Sequence, residues 1–323
     1  MTHITSEDDF LVLVDRHFPR QAEGVLLGRG DDAAVVAWPG RVCVTTDLFL
    51  EDVHFRRSYF SPRDAGYKAL AVNISDVAAM GGWPLGFVLG LVCPDTVGAA
   101  YWDEVLAGLA EAAAPFALPL LGGDLDRGPL VGISITLWGR PGPEGRFLTR
   151  GTARPGDVLF AVGELGLARA GLTALERFGS AAGKRFPAAV AAHLRPTPRI
   201  AAGLALAGLA GQAGLTACMD VSDGLARDLP RLLPPGTGAA LDLDRAAVHP
   251  EIAALAGELG RDPLLERVIG GEDYALLGAV DPDGWPQVRR AVPEAVALGR
   301  MRPEPGLVVN GLPLAERGFD HFG

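Results

Sequence analysis

Aspartates end several apolar runs of this chain, with glycine or a hydroxyl residue close by: Gly30-Asp31-Asp32, Thr46-Asp47, Gly123-Asp124 and Asp220-Val221-Ser222-Asp223. A strand end with glycine nearby sets a carboxylate on a rigid rim and lets a ligand approach the main chain. Taken alone, each of these has an ordinary reading as a turn former or cap. Asp76 does not. It sits in YKALAVNISDVAAMGG, residues 67–82, whose apolar positions cover almost the whole circumference of a helix, so the helix should be buried. A carboxylate there is costly unless it is paired or metal-bound. Asn73, three residues earlier, shares its face. Together these aspartates make a set of oxygen ligands of the kind hard cations such as Mg²⁺ prefer, held by a few carboxylates plus substrate phosphates. With no cysteine and no grouped histidine among them, Zn²⁺ is disfavoured.

The elements that must position these groups follow from pattern. Ser61-Pro62-Arg63-Asp64 gives the buried helix an N-cap serine, a proline at its first position and an acid at its third; Gly81-Gly82 and then Pro84 end it. Residues 6–18 read as an amphipathic helix. Residues 33–37 and 42–46 read as a hairpin around Trp38-Pro39-Gly40, which would bring Asp31 or Asp32 near Asp47. Strands are expected over 85–93, 118–121 and 130–138, with a helix over 98–114. The densest Pro/Gly region, 141–157, marks a boundary between domains 1–145 and 146–323. In the second half strands are expected at 158–162, 216–219, 239–243, 275–280, 296–299 and 307–309. Helices are expected at 168–178, 188–193, 199–210, 225–233, 251–259 and 285–292. Strands and helices mix without a fixed-period repeat, so the class is α/β or α+β.

Composition narrows the alternatives. Lys and Arg number 29 against 39 Asp and Glu, a formal charge of -10, which argues against nucleic acid or an anionic membrane as partner. Residues 200–219 are long enough to cross a bilayer but are mostly Ala and Gly, and read as a buried helix followed by a strand. The three cysteines, Cys43, Cys93 and Cys218, lie far apart in apolar runs and read as core residues of a protein in a reducing cytoplasm. MTHITSEDDF lacks the basic-then-apolar order of a signal peptide. Residues 179–185, GSAAGKR, resemble a P-loop superficially, but are one residue short, lack Ser or Thr after the lysine and follow no strand. His54 could orient a substrate or stand exposed on its loop. Arg127 and Arg150 could hold phosphate, though each alone reads as a solvated arginine.

Gly30-Asp31-Asp32, Thr45-Thr46-Asp47, Val53-His54-Phe55, residues 67–82, Gly122-Gly123-Asp124, residues 220–225 and Gly270-Gly271-Glu272-Asp273-Tyr274 resemble, in matching order, the thiamine-monophosphate kinases. The terminal Gly318-Phe319-Asp320-His321-Phe322 is similar too. The resemblance implies a superfamily shared with aminoimidazole ribonucleotide synthetase, selenophosphate synthetase and a hydrogenase-maturation protein. It implies an N-terminal sheet-and-helix domain that binds ATP and metal and dimerises sheet to sheet, and a C-terminal α/β domain that completes an active-site cleft. It implies ATP- and Mg²⁺-dependent phosphorylation of thiamine monophosphate to thiamine diphosphate in a homodimer, with several Mg²⁺ ions and no acid/base residue. By position, Asp32, Thr45, Thr46, Asp47, Asp76, Asp124, Asp220 and Asp223 take metal roles. Gly123, Asp124, Arg150 and Ser222 take ATP contacts, and His54, Glu272 and Phe319 take substrate contacts.

Four positions depart from the family pattern: Asp52 where glycine is frequent, Leu125 and Asp126 where threonines are usual, and Phe319 for a more usual tyrosine, which keeps a stacking face but no hydroxyl. Two other readings stand beside this one. The first is another ATP-using member of the superfamily; the absence of an N-terminal Cys disfavours selenophosphate synthetase, and the specific stretches disfavour aminoimidazole synthetase. The second is a catalytically silent metal- or nucleotide-binding protein.

Overall fold

The computed structural model describes residues 7–27, 35–38, 40–211, 214–244, 247–315 and 318, excepting the side chains of residues 7–9. The chain divides into two units, Met1–Val77 with Trp83–Arg140, and Ala78–Gly82 with Pro141–Gly323.

In the first unit the order is α1 (Glu7–His17), β1 (Val25–Leu27), β2 (Val35–Val36), β3 (Cys43–Leu50), α2 (Pro62–Ala79), β4 (Gly82–Cys93), α3 (Ala99–Ala113), β5 (Leu120–Arg127) and β6 (Gly132–Pro141). Four strands form one sheet in the order β3-β6-β4-β5. The β3–β6 pair is antiparallel, with Thr46 opposite Thr136; the β4–β5 pair is parallel, with Gly90 beside Asp124. The hairpin expected over 33–46 does not form: β2 pairs with β1 in a separate two-stranded sheet, and β3 pairs with β6 instead. Asp47 accordingly lies inside a strand. Gly122, Gly123 and Asp124 do likewise, because β5 continues through the glycines as an edge strand. Pro84 lies inside β4, ahead of the first residue paired with β5, Phe87, where a missing N–H breaks no bond to that strand.

Helix α2 begins as its sequence dictates. Asp64 donates its backbone N–H to Ser61 Oγ at 3.1 Å, and the serine hydroxyl donates to the Asp64 carboxylate at 2.6 Å. It ends at Ala79, with Gly81 at φ +64° donating back to the Ala78 carbonyl. Leu70, Ile74, Val77 and even Lys68 are buried, the lysine over the Phe60 ring at 5.6 Å. Each buried Leu or Ile side chain contributes about 1.5–3 kcal/mol. Paired glycines explain how α3 covers this helix: a Cβ at Gly66 would meet Val105 O at 2.0 Å, and one at Gly108 would meet Arg63 O at 1.9 Å. The two backbones therefore touch.

The second unit holds β7 (Val158–Val162), α4 (Leu167–Phe178), α5 (Ala182–Arg185), α6 (Pro187–Leu194), α7 (Ile200–Leu209), β8 (Leu215–Asp220), α8 (Leu225–Leu232), β9 (Gly238–Leu241), α9 (Pro250–Leu259), α10 (Pro263–Ile269), β10 (Leu276–Val280), α11 (Trp285–Ala291), β11 (Ala295–Arg302), β12 (Gly306–Val309) and β13 (Leu312–Pro313). Its sheet runs β13-β12-β9-β11-β7-β10-β8. Every residue of β7 and β10 is buried, as continuous apolar strands covered on both faces should be. Helix α10 was not foreseen; Asp262 caps it, accepting from the Leu264 N–H at 2.9 Å. Among the described residues no helix is long and apolar enough to cross a membrane, and residues 200–219 resolve into a ten-residue α7 and strand β8.

Candidate functional site

In the first unit, strand alternation and α2 together assemble one oxygen-rich face. Thr45 points from β3 to α2 and donates its hydroxyl to Asp76 Oδ2. Asp47, two residues on, shares that sheet face, as does Cys43. Thr46 points the other way, its hydroxyl donating to Ile135 O at 3.1 Å and lying 3.0 Å from Thr136 Oγ1. Any joint role of Thr46 with Asp47 and Asp76 therefore falls to its main chain. Asn73 is fully buried and donates to Ala69 O at 3.0 Å, while its Oδ1 has no hydrogen-bond partner among the described residues.

Asp124 stands apart from this group. It projects, exposed, from β5, with two strands between it and β3, a separation of about 14 Å at ordinary strand spacing. Its Oδ1 accepts from the Leu125 N–H at 3.0 Å. At the neighbouring Gly123 a Cβ would lie 1.9 Å from Leu89 O, so only glycine fits there. Among the described residues no three His, Cys, Asp or Glu side chains converge on a metal position. Asp31, Asp32 and Phe319 lie outside the described residues. The Thr45 hydroxyl with the Asp47 and Asp76 carboxylates is a hard, incomplete donor set; it fits Mg²⁺ shared with substrate phosphates better than a closed protein cage.

His54 is half-buried on the loop after β3, stacked on Phe49 at 5.8 Å. Its Nδ1 accepts from the Leu50 N–H at 3.1 Å, which leaves the proton on Nε2 in the neutral ring. The loop turns through Asp52 at φ +62°, a left-handed backbone that suits glycine best and aspartate next, so the departure at this position keeps the conformation. Glu51 underpins the loop, its carboxylate paired with Arg57 and accepting from the Val131 N–H at 2.9 Å.

In the second unit, Asp220 ends β8, buried, and Ser222-Asp223 form the turn into α8. Gly224, at φ +100°, packs where a Cβ would lie 2.6 Å from Ile269 O. The turn is held from behind by Asp228. This fully buried carboxylate accepts from the Ser222 and Asp223 N–H groups at 2.9 and 2.8 Å and from Arg231 at 2.8 Å. Burial pushes its carboxyl up, with the Asp223 and Ser222 N–H groups and Arg231 pulling the other way. Arg231 also grips Asp223, at 2.7 Å.

The Gly270–Tyr274 segment lies against the same turn: the Glu272 N–H donates to Ser222 O at 2.7 Å, and the Tyr274 N–H to Val221 O at 2.9 Å. Glu272 and Tyr274 both have positive φ, +64° and +49°, backbone strain of a kind that concentrates at functional sites. Asp273 turns inward to cap α4, accepting from the Gly166 and Ala168 N–H groups at 2.5 and 3.0 Å. Burial pushes its carboxyl up to about 8, against the pull of those donors. Arg150 is exposed.

Asp228 and Arg231 escaped the sequence reading, and Asp273 entered it only as part of the Gly270–Tyr274 stretch, without a role. Asp228 could have been found from its place five residues after Asp223, on the face that α8 otherwise buries with Leu225, Leu229 and Leu232. The cysteines are all free, but only Cys218 is buried, Cys43 and Cys93 being half-buried. Burial pushes the thiols of Cys93 and Cys218 up to about 12, which disfavours the thiolate at neutral pH.

Residues 30–140 match the family described as AIR synthase related protein, N-terminal domain, and residues 154–309 match its C-terminal domain. Thiamine-monophosphate kinase of Escherichia coli strain K12 is 38% identical over 299 residues, 90% of this chain and 86% of that protein. The chain belongs to the thiamine-monophosphate kinase family. The crystal structure of thiamine-monophosphate kinase from Stenotrophomonas maltophilia K279a superposes with a TM-score of 0.83 at 30% identity, covering 97% of this chain and 99% of that one. AaThiL complexed with AMPPCP and TMP matches with a TM-score of 0.77 at 30% identity, over 98% and 97% of the two chains. The thiamine-monophosphate kinase framework thus spans both units, and its N-terminal match ends at residue 140, where the first unit ends.

Proposed function

We propose that this chain transfers the γ-phosphoryl group of ATP to thiamine monophosphate, giving thiamine diphosphate and ADP. The observation that carries the reading is the likeness, over 98% of this chain, to AaThiL complexed with AMPPCP and TMP. The acceptor phosphate has a second pKa near ~6 and is mostly ionised at neutral pH, so no side chain need act as base. One of its oxygens bonds to the γ-phosphorus as the bond from that phosphorus to the β–γ bridging oxygen breaks, in line, and ADP leaves. Mg²⁺ would supply the positive charge that offsets repulsion between the two anions.

The residues proposed to hold the ions are Asp32, Thr45, Thr46, Asp47, Asp76, Asp124, Asp220 and Asp223. Thr45 fixes the Asp76 carboxylate before any ion arrives. Gly123, Asp124, Arg150 and Ser222 are assigned to ATP, and His54, Glu272 and Phe319 to thiamine monophosphate. With Nδ1 committed to Leu50, His54 can offer Nε2–H to the acceptor phosphate. Homodimerisation through the first sheet belongs to the same proposal. It is supported by the outer face of β3, where Val44 and Leu48 are 58% and 59% exposed. The test is incubation with γ-labelled ATP and Mg²⁺, with and without thiamine monophosphate. The label should pass to thiamine diphosphate; label retained on the protein after ATP alone would count against direct transfer.

A further inference from the structure

Glu51 has no part in the transfer just described, yet its carboxylate holds the loop that carries His54. It opens that loop, immediately after β3, and is 7% exposed. Its N–H donates to Val131 O at 2.9 Å, which extends the β3–β6 pairing by one residue. In an ordinary antiparallel pair the return bond would run from the Val131 N–H to the Glu51 carbonyl. Here that N–H donates to Glu51 Oε2 instead, at 2.9 Å, so the carboxylate stands in for the carbonyl as the chain turns away from the sheet. The other oxygen, Oε1, accepts from Arg57 Nε, six residues further on. One buried carboxylate thus joins the two ends of residues 51–57 to each other and to the residue ahead of β6. His54 lies at the middle of that segment. Its ring is set within the loop by the Leu50 N–H and by Phe49, and the Glu51 tie sets the loop against the sheet. Tyr101 on α3 lies within reach of both charges: burial pushes its hydroxyl up to about 12, Arg57 pulls it down and Glu51 pushes it up.

We infer that Glu51 is a positioning residue for thiamine monophosphate: by joining Arg57 to Val131 it holds the 51–57 loop so that His54 meets the substrate. This rests on the assignment of His54 to that substrate. The competing role for Glu51 is a plain stabiliser of the first unit, which would lower stability and touch both substrates alike or neither.

The experiment compares Glu51→Ala, Glu51→Gln, Arg57→Met, His54→Ala and the double variant Glu51→Ala/His54→Ala, with KM measured separately for thiamine monophosphate and for ATP at a temperature where each stays folded. A hydrogen bond to a charged group corresponds to roughly 10- to 100-fold in affinity, which is the rise in KM for thiamine monophosphate expected of His54→Ala. Glu51→Ala, which leaves the Val131 N–H and Arg57 without their acceptor, should raise it at least roughly threefold and no further than His54→Ala does, and should change KM for ATP less than about twofold. Glu51→Gln keeps an acceptor for the Val131 N–H and should fall between the parent and alanine. In the His54→Ala background, Glu51→Ala should change KM for thiamine monophosphate less than about twofold, because the group it positions is gone. A raised KM in His54→Ala with an unchanged KM in Glu51→Ala overturns the inference and leaves the His54 assignment standing; so does an equal rise for both substrates, or the same rise with and without His54. An unchanged KM in His54→Ala overturns the assignment and the inference with it. Should Glu51→Ala fail to fold, Glu51→Gln and Arg57→Met carry the test, and an unchanged KM for thiamine monophosphate in both overturns the inference.

Discussion

Replacing Asp228 with alanine should unfasten the turn that carries Ser222 and Asp223. The carboxylate is fully buried and accepts three hydrogen bonds, from Ser222 N, Asp223 N and Arg231, at 2.9, 2.8 and 2.8 Å. Arg231 is 40% exposed and keeps Asp223 as a partner, so its share of the loss is small. The two N–H groups lie behind the turn, and a hydrogen bond to a charged acceptor is worth about 1.5–3 kcal/mol. Removing the cost of burying the carboxylate returns part of that. The net destabilisation should be about 2–4 kcal/mol, at the upper end of ordinary point mutants. Asparagine keeps an oxygen where Oδ2 accepts both N–H bonds and loses only the Arg231 side, so it should cost about 1 kcal/mol. Urea unfolding gives both numbers. Steady-state kinetics at a temperature where each variant stays folded should show kcat/KM for ATP at least roughly tenfold lower in the alanine variant. An alanine variant within about 0.5 kcal/mol of the parent, or one indistinguishable from asparagine, would refute the reasoning.

Three further outcomes follow from the geometry. The unfolded chain releases the Asp273 proton near pH ~4 and the folded chain near about 8, so the folded state holds one more proton in that window and stability falls as pH rises through it, by about 1.4 kcal/mol per pH unit. Asp273→Asn should lose this slope between pH ~4 and ~8; a parent and variant with parallel pH–stability curves would contradict the neutral, buried carboxyl. Gly108→Ala, whose Cβ would sit 1.9 Å from Arg63 O, should push α3 off α2 and cost about 1–3 kcal/mol or more by thermal or urea unfolding; an unchanged midpoint would refute the backbone contact. Thr45→Val removes the donor to Asp76 while keeping the shape, and should raise the Mg²⁺ concentration for half-maximal activity by roughly 3- to 10-fold with little loss of fold, an outcome read from a Mg²⁺ titration.

The sequence was most readable where one pattern had one physical meaning. The cap at Ser61, the all-round apolar α2 and the buried runs of β7 and β10 follow from periodicity and turn chemistry. Pairing partners did not follow, because a strand such as β3 carries no mark of which neighbour it will take. Proximity along the chain suggested 33–37, and the structure chose β6, 82 residues away at its nearest. Of the proposed site, Asp76 was conspicuous because it interrupts an otherwise apolar helix, although the structure leaves it half-buried where a buried position was expected, whereas the supports of the site were silent. Asp228 matters through its position behind a turn whose N–H groups lie only five and six residues before it, a local contact hidden among the apolar positions of α8. Thr46 shows the opposite case: the resemblance implied a metal role shared with Thr45, but strand alternation sends its hydroxyl to the other face.

The most direct test is a product assay on the purified chain and its Asp76→Asn variant, with ATP, Mg²⁺ and thiamine monophosphate. The parent should form thiamine diphosphate and ADP one to one, and the variant, folded to the same extent by circular dichroism, should form almost none at the same Mg²⁺ concentration. ADP without thiamine diphosphate from the parent, or normal turnover by the variant, would contradict the account.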